Sequence, residues 1–543
     1  MGSTLSPRGI PAAVRGAMGD GRARELLPWC LPALVLGAIA RGYILYHYPY
    51  GIVHPDSEDF LITASDLLRH HRFVLHAKKA FLVPILFALP VLFRIPCLVV
   101  VPWAQHICGL IFTVMIGALV RMWMRLWKVW IVPMTIMATL NPTMLWYEHT
   151  LIAEFAYLWC ATALALAGTV CALRPGKWTF AALLGALILT AGSRPEGKLY
   201  GMFCLLLVSQ IDWGGWKARA MYCGVALAVS AMGWFSCRDS EGGLLLYATV
   251  LPLAPDAPRS APEFGPMIKP LRDKCIASGE GYLTDLVGEI VEITPIAVRY
   301  LESAHKNRNS YAEFCQRLAI EAALRQPLRL PKLALDKFLL GFNYAPCGDF
   351  GTHWLRDMQM RSCTYKDWMP PLAARLAGPR LALPADVAAA MKMRNPAKMN
   401  AVAAGHLKLA IGEFIREEYV PLGRTNLFSI LQRMWSWMTL MARIGKKSYA
   451  GVGVPDIPLF FIGGMAGMLA SARRPGPLRK LHVAWVVTLG CVGMLVMLTG
   501  VVNARYRFVF EPFFLLYNFA LLDFLAALFI RRSSVAQPCL DHE

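Results

Sequence analysis

Four short polar clusters carry the residue types that could do chemistry. The first is His54-Pro55-Asp56-Ser57-Glu58-Asp59-Phe60. Three carboxylates within four positions repel one another, so at least one resists ionising, which suits a general base or a hard-cation ligand. The same residues could also form a solvated acidic turn, with Asp56 or Ser57 capping a helix. The second is Tyr147-Glu148-His149-Thr150 with Glu154 at the start of an apolar run. A charge there is costly unless it faces a protein cavity or water, although a carboxylate at a helix N-terminus is also favourable in itself. The third is Ser193-Arg194-Pro195-Glu196-Gly197-Lys198, which interrupts one long apolar run. Pro195 and Gly197 give a helix start that could receive an anion beside Arg194 and Lys198; the simpler alternative is a hairpin turn with an Arg194–Glu196 ion pair. The fourth is Asn503-Ala504-Arg505-Tyr506-Arg507, followed by Glu511-Pro512. Arg505 and Arg507 suit bidentate phosphate recognition, or else snorkelling to lipid headgroups.

The elements that must position these clusters are hydrophobic. Of the 543 residues, 56% are hydrophobic and only 17% charged, with mean hydropathy +0.45. A soluble domain carries about 25% charge. The apolar residues fall in long blocks at 29–48, 97–120, 129–147, 151–173, 178–193, 198–211, 218–236, 457–472, 481–501 and 507–530. Roughly 20 apolar helical residues cross a hydrocarbon core. The expected fold is therefore an all-α polytopic membrane protein of about ten spans, or eleven if 426–443 also crosses.

Charge orients the bundle. The formal net charge is +20, but no stretch interleaves Lys/Arg with aromatics as a nucleic-acid surface would, so no nucleic-acid partner is expected. The cations sit at the ends of the apolar blocks, where they meet membrane lipid. With the N-terminus inside, alternate loops hold Arg121, Arg125 and Lys128; Arg174 and Lys177; Lys217 and Arg219; Arg473, Arg474, Arg479 and Lys480; and Arg531 with Arg532. The four polar clusters then fall on the opposite, outer side. Residues 81–96 contain three prolines and Arg94, which fits a helix lying along the interface better than a crossing.

The expected organisation is a cytoplasmic tail (1–28), an N-terminal transmembrane module (29–236) with a first external loop (49–96), an external, mainly helical region (237–456), C-terminal transmembrane helices (457–530) and a second tail (531–543). The run from Trp29 to Tyr48 is too long for a cleaved signal and reads as a signal anchor. Fourteen cysteines show no CxxC spacing, which leaves a zinc site unsupported. Cys347 and Cys363 in the external region are either a disulfide or two free thiols.

In order and spacing, these clusters resemble the GT-C glycosyltransferases, especially the branch holding lipid A aminoarabinose transferase and the protein O-mannosyltransferases. Asp56-Ser57-Glu58-Asp59-Phe60 is similar to that family's acidic motif, with Ser57 where a second acid is expected. LNPTMLWYEHTLIAE (140–154) looks like its next external turn, SRPEG like its cation-bearing loop, and RYRFVFEP like its late-helix segment, with the proline further on than usual. The resemblance implies a GT-C-like helix bundle that transfers sugar, with inversion, from a polyprenyl-phosphate donor to an extracytoplasmic glycan, lipid or protein. It implies Asp56 as general base, with Arg194, Arg505, Arg507 and Lys198 on the donor phosphate. Glu58, Asp59, Glu154 and His149 would serve as acceptor-binding or second carboxylate-side groups, and Glu58, Glu154 and His149 could hold Mg²⁺ or Ca²⁺. It places the chain in a cell membrane, a bacterial inner membrane, with the active site outside. A transporter or flippase for a lipid-linked or anionic substrate is the alternative; it should carry its charges near the bilayer midplane. The region 237–456 matches nothing in the family pattern.

Overall fold

In a computed structural model of the chain, the described residues are 20–47, 60, 63–64, 80–92, 97–235, 242–278, 286–307, 310–333, 443–444, 447–449, 452–454, 457–474, 476–499 and 510–535. Among them the architecture is helical: α1 (Asp20–His47), α2 (Leu82–Leu92), α3 (Cys97–Trp123), α4 (Trp127–Thr139), α5 (Pro142–Glu148), α6 (Ala153–Leu173), α7 (Lys177–Ser193), α8 (Tyr200–Gln210) and α9 (Trp216–Phe235). These are followed by α10 (Gly242–Val250), α11 (Phe264–Ser278), α12 (Leu286–Ser303), α13 (Tyr311–Arg325), α14 (Leu459–Arg473), α15 (Pro477–Thr499) and α16 (Glu511–Val535). Two small antiparallel ribbons, Arg443–Ile444 with Ile457–Pro458 and Lys447–Tyr449 with Val452–Val454, precede α14.

Within the described residues, each apolar block read from the sequence contains helix. Among the described residues, four helices are long and apolar enough to cross a membrane, over Glu25–Tyr46, Val100–Trp123, Ala153–Leu173 and Glu511–Ile530, and α4 with α5 makes a fifth if that bent pair is one span. The chain is thus a helical membrane protein by length and composition. Helix α2 has 11 residues, about 17 Å at 1.5 Å per residue, about half of what a crossing needs. It buries Val83, Phe87 and Ala88 in a small cluster with Phe60 and Ala64.

One continuous core joins α1, α3–α9 and α14–α16. Helix α14 approaches α16 through Gly463, Gly464 and Gly467: a Cβ on Gly467 would run into the Tyr517 carbonyl, and one on Gly463 into the Asn518 side chain. Small residues at that spacing let two backbones close up where no water drives association. Gly476, at φ 102°, makes the turn into α15, a conformation a side chain would strain. A second core, in α10–α13, is built on Tyr247, Phe264, Tyr300 and Phe314, whose rings lie 5.0–6.3 Å apart.

The basic turns meet at one end of the bundle. Arg121 and Lys128 pair with Glu25. Asp523 accepts the backbone N–H groups of Arg125 (3.0 Å) and Leu126 (2.8 Å) and pairs with Arg474 at 3.2 Å. Arg474 also donates to the carbonyls of Trp123 and Ala520, and Lys480 to that of Gln210. Glu25 and Asp523 are the acids that organise this end.

Candidate functional site

The opposite end carries two buried polar knots. The first is set by a break in a helix. Asn141 caps α5 by accepting from the backbone N–H groups of Thr143 (2.8 Å) and Met144 (3.1 Å), with Pro142 at the first helical position, a sequence that starts a new helix. The axis turns by 50° between α4 and α5, which carries Glu148 and His149 into the bundle. Both are fully buried.

Glu148 is held by Arg41, which sits inside the apolar α1 with 2% of its surface exposed. Arg41 Nε donates to Glu148 Oε2 at 2.8 Å and Nη2 to Oε1 at 2.6 Å. Its Nη1 donates to the Gly37 carbonyl and to the carbonyl and hydroxyl of Thr139, at 3.0–3.2 Å. A guanidinium keeps its charge and matches a carboxylate in this forked geometry. Space for it comes from two glycines. A Cβ on Gly109 would collide with the Glu148 carboxylate and Arg41, and one on Gly37 with Thr139 and Arg41. On the other side of Glu148, His106 from α3 lies with Nδ1 2.8 Å from Oε2 and Nε2 3.2 Å from His149 Nδ1.

The second knot joins the starts of α6 and α8. Arg194 ends α7 in an extended conformation, and a 3₁₀ turn (Pro195–Leu199) leads into α8. Its Nη1 donates to Glu154 Oε1 at 2.6 Å, and Nε and Nη2 to the two oxygens of Glu196 at 3.1 and 3.2 Å. The Tyr157 ring lies 5.9 Å from the guanidinium. Burial works to raise the Glu196 carboxyl, but the charge and hydrogen bonds of Arg194 outweigh it and hold it below the usual range. The trio of Arg194, Glu154 and Glu196 sums to −1, so it would need Lys198, half-buried in the same turn, or further cations to attract a phosphate.

Of the residues singled out from the sequence, the structure thus brings Glu154 to Arg194 and His149 to a separate partner, His106. Among the described residues no three His, Cys, Asp or Glu side chains are placed to hold a metal ion. A divalent cation at Glu154 would face the Arg194 guanidinium, a like charge, so no step below runs through a metal. Asp56, Glu58, Asp59, Arg505 and Arg507 lie outside the described residues, as do Cys347, Cys363 and residues 426–442. Sequence reasoning passed over Arg41 and His106. The signal was present, since an ionisable residue inside an apolar block marks a functional position by default.

No family model matches the chain, and no curated protein matches it.

Proposed function

We propose that this chain is a membrane glycosyltransferase that moves a sugar, with inversion, from a polyprenyl-phosphate donor to a glycan, lipid or protein acceptor outside the cytoplasm of a bacterial cell. In this reading the bundle has about ten spans in a GT-C-like arrangement. Asp56 removes the acceptor proton, a contribution of about 10²–10⁴-fold for a well-placed base. Arg505, Arg507 and Lys198 hold the leaving phosphate, whose charge grows toward the transition state. Arg194, locked by Glu154 and Glu196, fixes the turn that presents Lys198.

The observation that carries the reading is location. Both buried knots lie at the end of the bundle away from Glu25, Arg121 and Asp523. Arg41 is five residues inside the Tyr46 end of its span, about 7.5 Å along the axis, which is shallower than the midplane of a ~30 Å core. A transporter draws its support from the same Arg41–Glu148 pair, because buried ion pairs line substrate and proton pathways.

The two readings separate in one experiment. Protein in nanodiscs is given a synthetic polyprenyl-phosphate hexose, radiolabelled in the sugar, with a delipidated envelope extract as acceptor. The expected result is label moving into the extract, lost in Asp56→Asn, with undecaprenyl phosphate binding retained in that variant and weakened in Arg505→Ala. Movement of intact donor across liposomes without cleavage would instead establish the transporter.

A further inference from the structure

We propose that the outward face of α13 docks on the surface of an anionic lipid bilayer, with Ile320, Leu324 and Leu328 set into the boundary between headgroups and acyl chains. Helix α13 has apolar residues on two sides. Phe314, Leu318 and Ala322 enter the second core, and with a helical repeat of 3.6 residues Ile320 and Leu324 project from the opposite side. They are 47% and 75% exposed. Leu328 continues the spacing in the turn closed by the Arg329 N–H on the Gln326 carbonyl, and it is 90% exposed. One exposed leucine is ordinary in any protein. Three large apolar side chains four residues apart form a continuous row, which water does not favour and a partner surface does.

The charges around the row select that partner. Arg317, Arg325, Arg329 and Lys332 are all exposed, on stems long enough to lie along apolar surface while their charged heads reach outward. The acid within the same stretch, Glu321, is engaged by the backbone N–H groups of Arg259 and Ser260 and by Arg325. Glu313 lies further back, in the first turn of the helix. Leucines rimmed by arginine and lysine are what an interfacial helix offers to acidic headgroups. A second copy of this chain would instead bring cations of the same sign to the contact. The fold holds the row near a bilayer. Helix α10 packs against α15 of the membrane bundle, and residues 236–241 that join α9 to α10 reach at most about 25 Å. Helix α13 runs alongside α10: a Cβ on Gly243 would strike the Ala312 carbonyl near the start of α13, and Gln326, just past its end, donates to the Leu253 carbonyl at 3.3 Å. The docking needs neither Asp56 nor a sugar donor, so it stands apart from the glycosyltransferase reading.

Hydroxyl-radical footprinting of the full-length protein in nanodiscs tests this side chain by side chain. The discs hold phosphatidylcholine alone or phosphatidylcholine mixed with phosphatidylglycerol. Oxidation of Leu324 and Leu328 is read by mass spectrometry against His305, which is exposed and outside the row. The expected result is oxidation of both leucines that falls about tenfold in the acidic discs, an attraction several surface cations can supply. It should recover as salt is raised, because exposed charges are screened. Arg317→Gln, Arg329→Gln and Lys332→Gln together change exposed side chains and should restore most of the oxidation in acidic discs. Equal oxidation in the two lipids overturns the docking: if strong in both, the row stays in water, and if weak in both, protein covers it. Protection that survives unchanged in the triple variant overturns it as well. If that variant does not fold, the wild-type comparison of the two lipids alone decides.

Discussion

Arg41 sits charged in the apolar stretch of its helix, and the group that balances its charge is one carboxylate 107 positions away. Removing one partner of such a pair leaves the other buried and uncompensated, at about 3–5 kcal/mol, whereas replacing both is often close to neutral. Arg41→Met should therefore destabilise the protein by about that amount, and Arg41→Met with Glu148→Gln should recover more than half of it. Unfolding in mixed detergent–dodecyl sulfate micelles measures both; losses that simply add would mean the two side chains do not depend on each other. The same pair shows what a sequence hides. Glu148 and His149 stood out as polar residues at the edge of an apolar block, whereas Arg41 and His106 were absorbed into theirs. Nothing local says that residues 41, 106 and 148 converge, because that is decided by how three helices pack. Arg194 was legible in part: its pair with Glu196 is two residues long and visible in the sequence, and its pair with Glu154 is not.

Helices were the most legible level, since every apolar block contains helix where it is described. Their ends were less so, and the single block 129–147 proved to be two helices divided at Asn141. The prediction that belongs to this scale concerns α13. Its Glu321 accepts the backbone N–H groups of Arg259 (2.6 Å) and Ser260 (3.2 Å) and the Ser260 hydroxyl (2.9 Å), tying α13 to the turn before α11. Burial raises the Glu321 carboxyl, but these donors, with the charge of Arg325, outweigh it and hold it below the ordinary glutamate value. A carboxyl lowered by folding adds stability that is complete above its unfolded value, about 4.3, and disappears as pH falls through the folded one. Protease protection of the 242–333 helices in the full chain should accordingly decline below about pH 4.3, and the decline should be shallower in Glu321→Gln. Equal acid sensitivity in the two proteins would assign the loss to other groups.

The whole-molecule question is how many helices cross; among the described residues four, or five with the bent pair, are long and apolar enough on their own. Helix α7 has 17 residues, about 26 Å, and α8 has 11, about 17 Å. Contacts at their ends argue for more depth than length does. Arg194, at the end of α7, meets Glu154 at the start of α6, so α7 returns along the full course of a helix that itself passes the test. Gln210, at the end of α8, receives Lys480, close in sequence to the Arg474 that binds Asp523. The α7–α8 hairpin thus runs from the basic end to the Glu154 end and back. If α9 then crosses once, the α10–α13 helices lie on the opposite side from the turns at 174–176 and 212–215. Single cysteines in a cysteine-depleted background test this with a membrane-impermeant maleimide on intact cells. Ala257→Cys and Lys306→Cys, both at exposed positions, should label directly, and Pro175→Cys and Lys217→Cys only after permeabilisation. The reverse pattern would put both buried knots on the cytoplasmic side, where an external acceptor could not reach them. Labelling of all four from outside would mean that α9 does not cross.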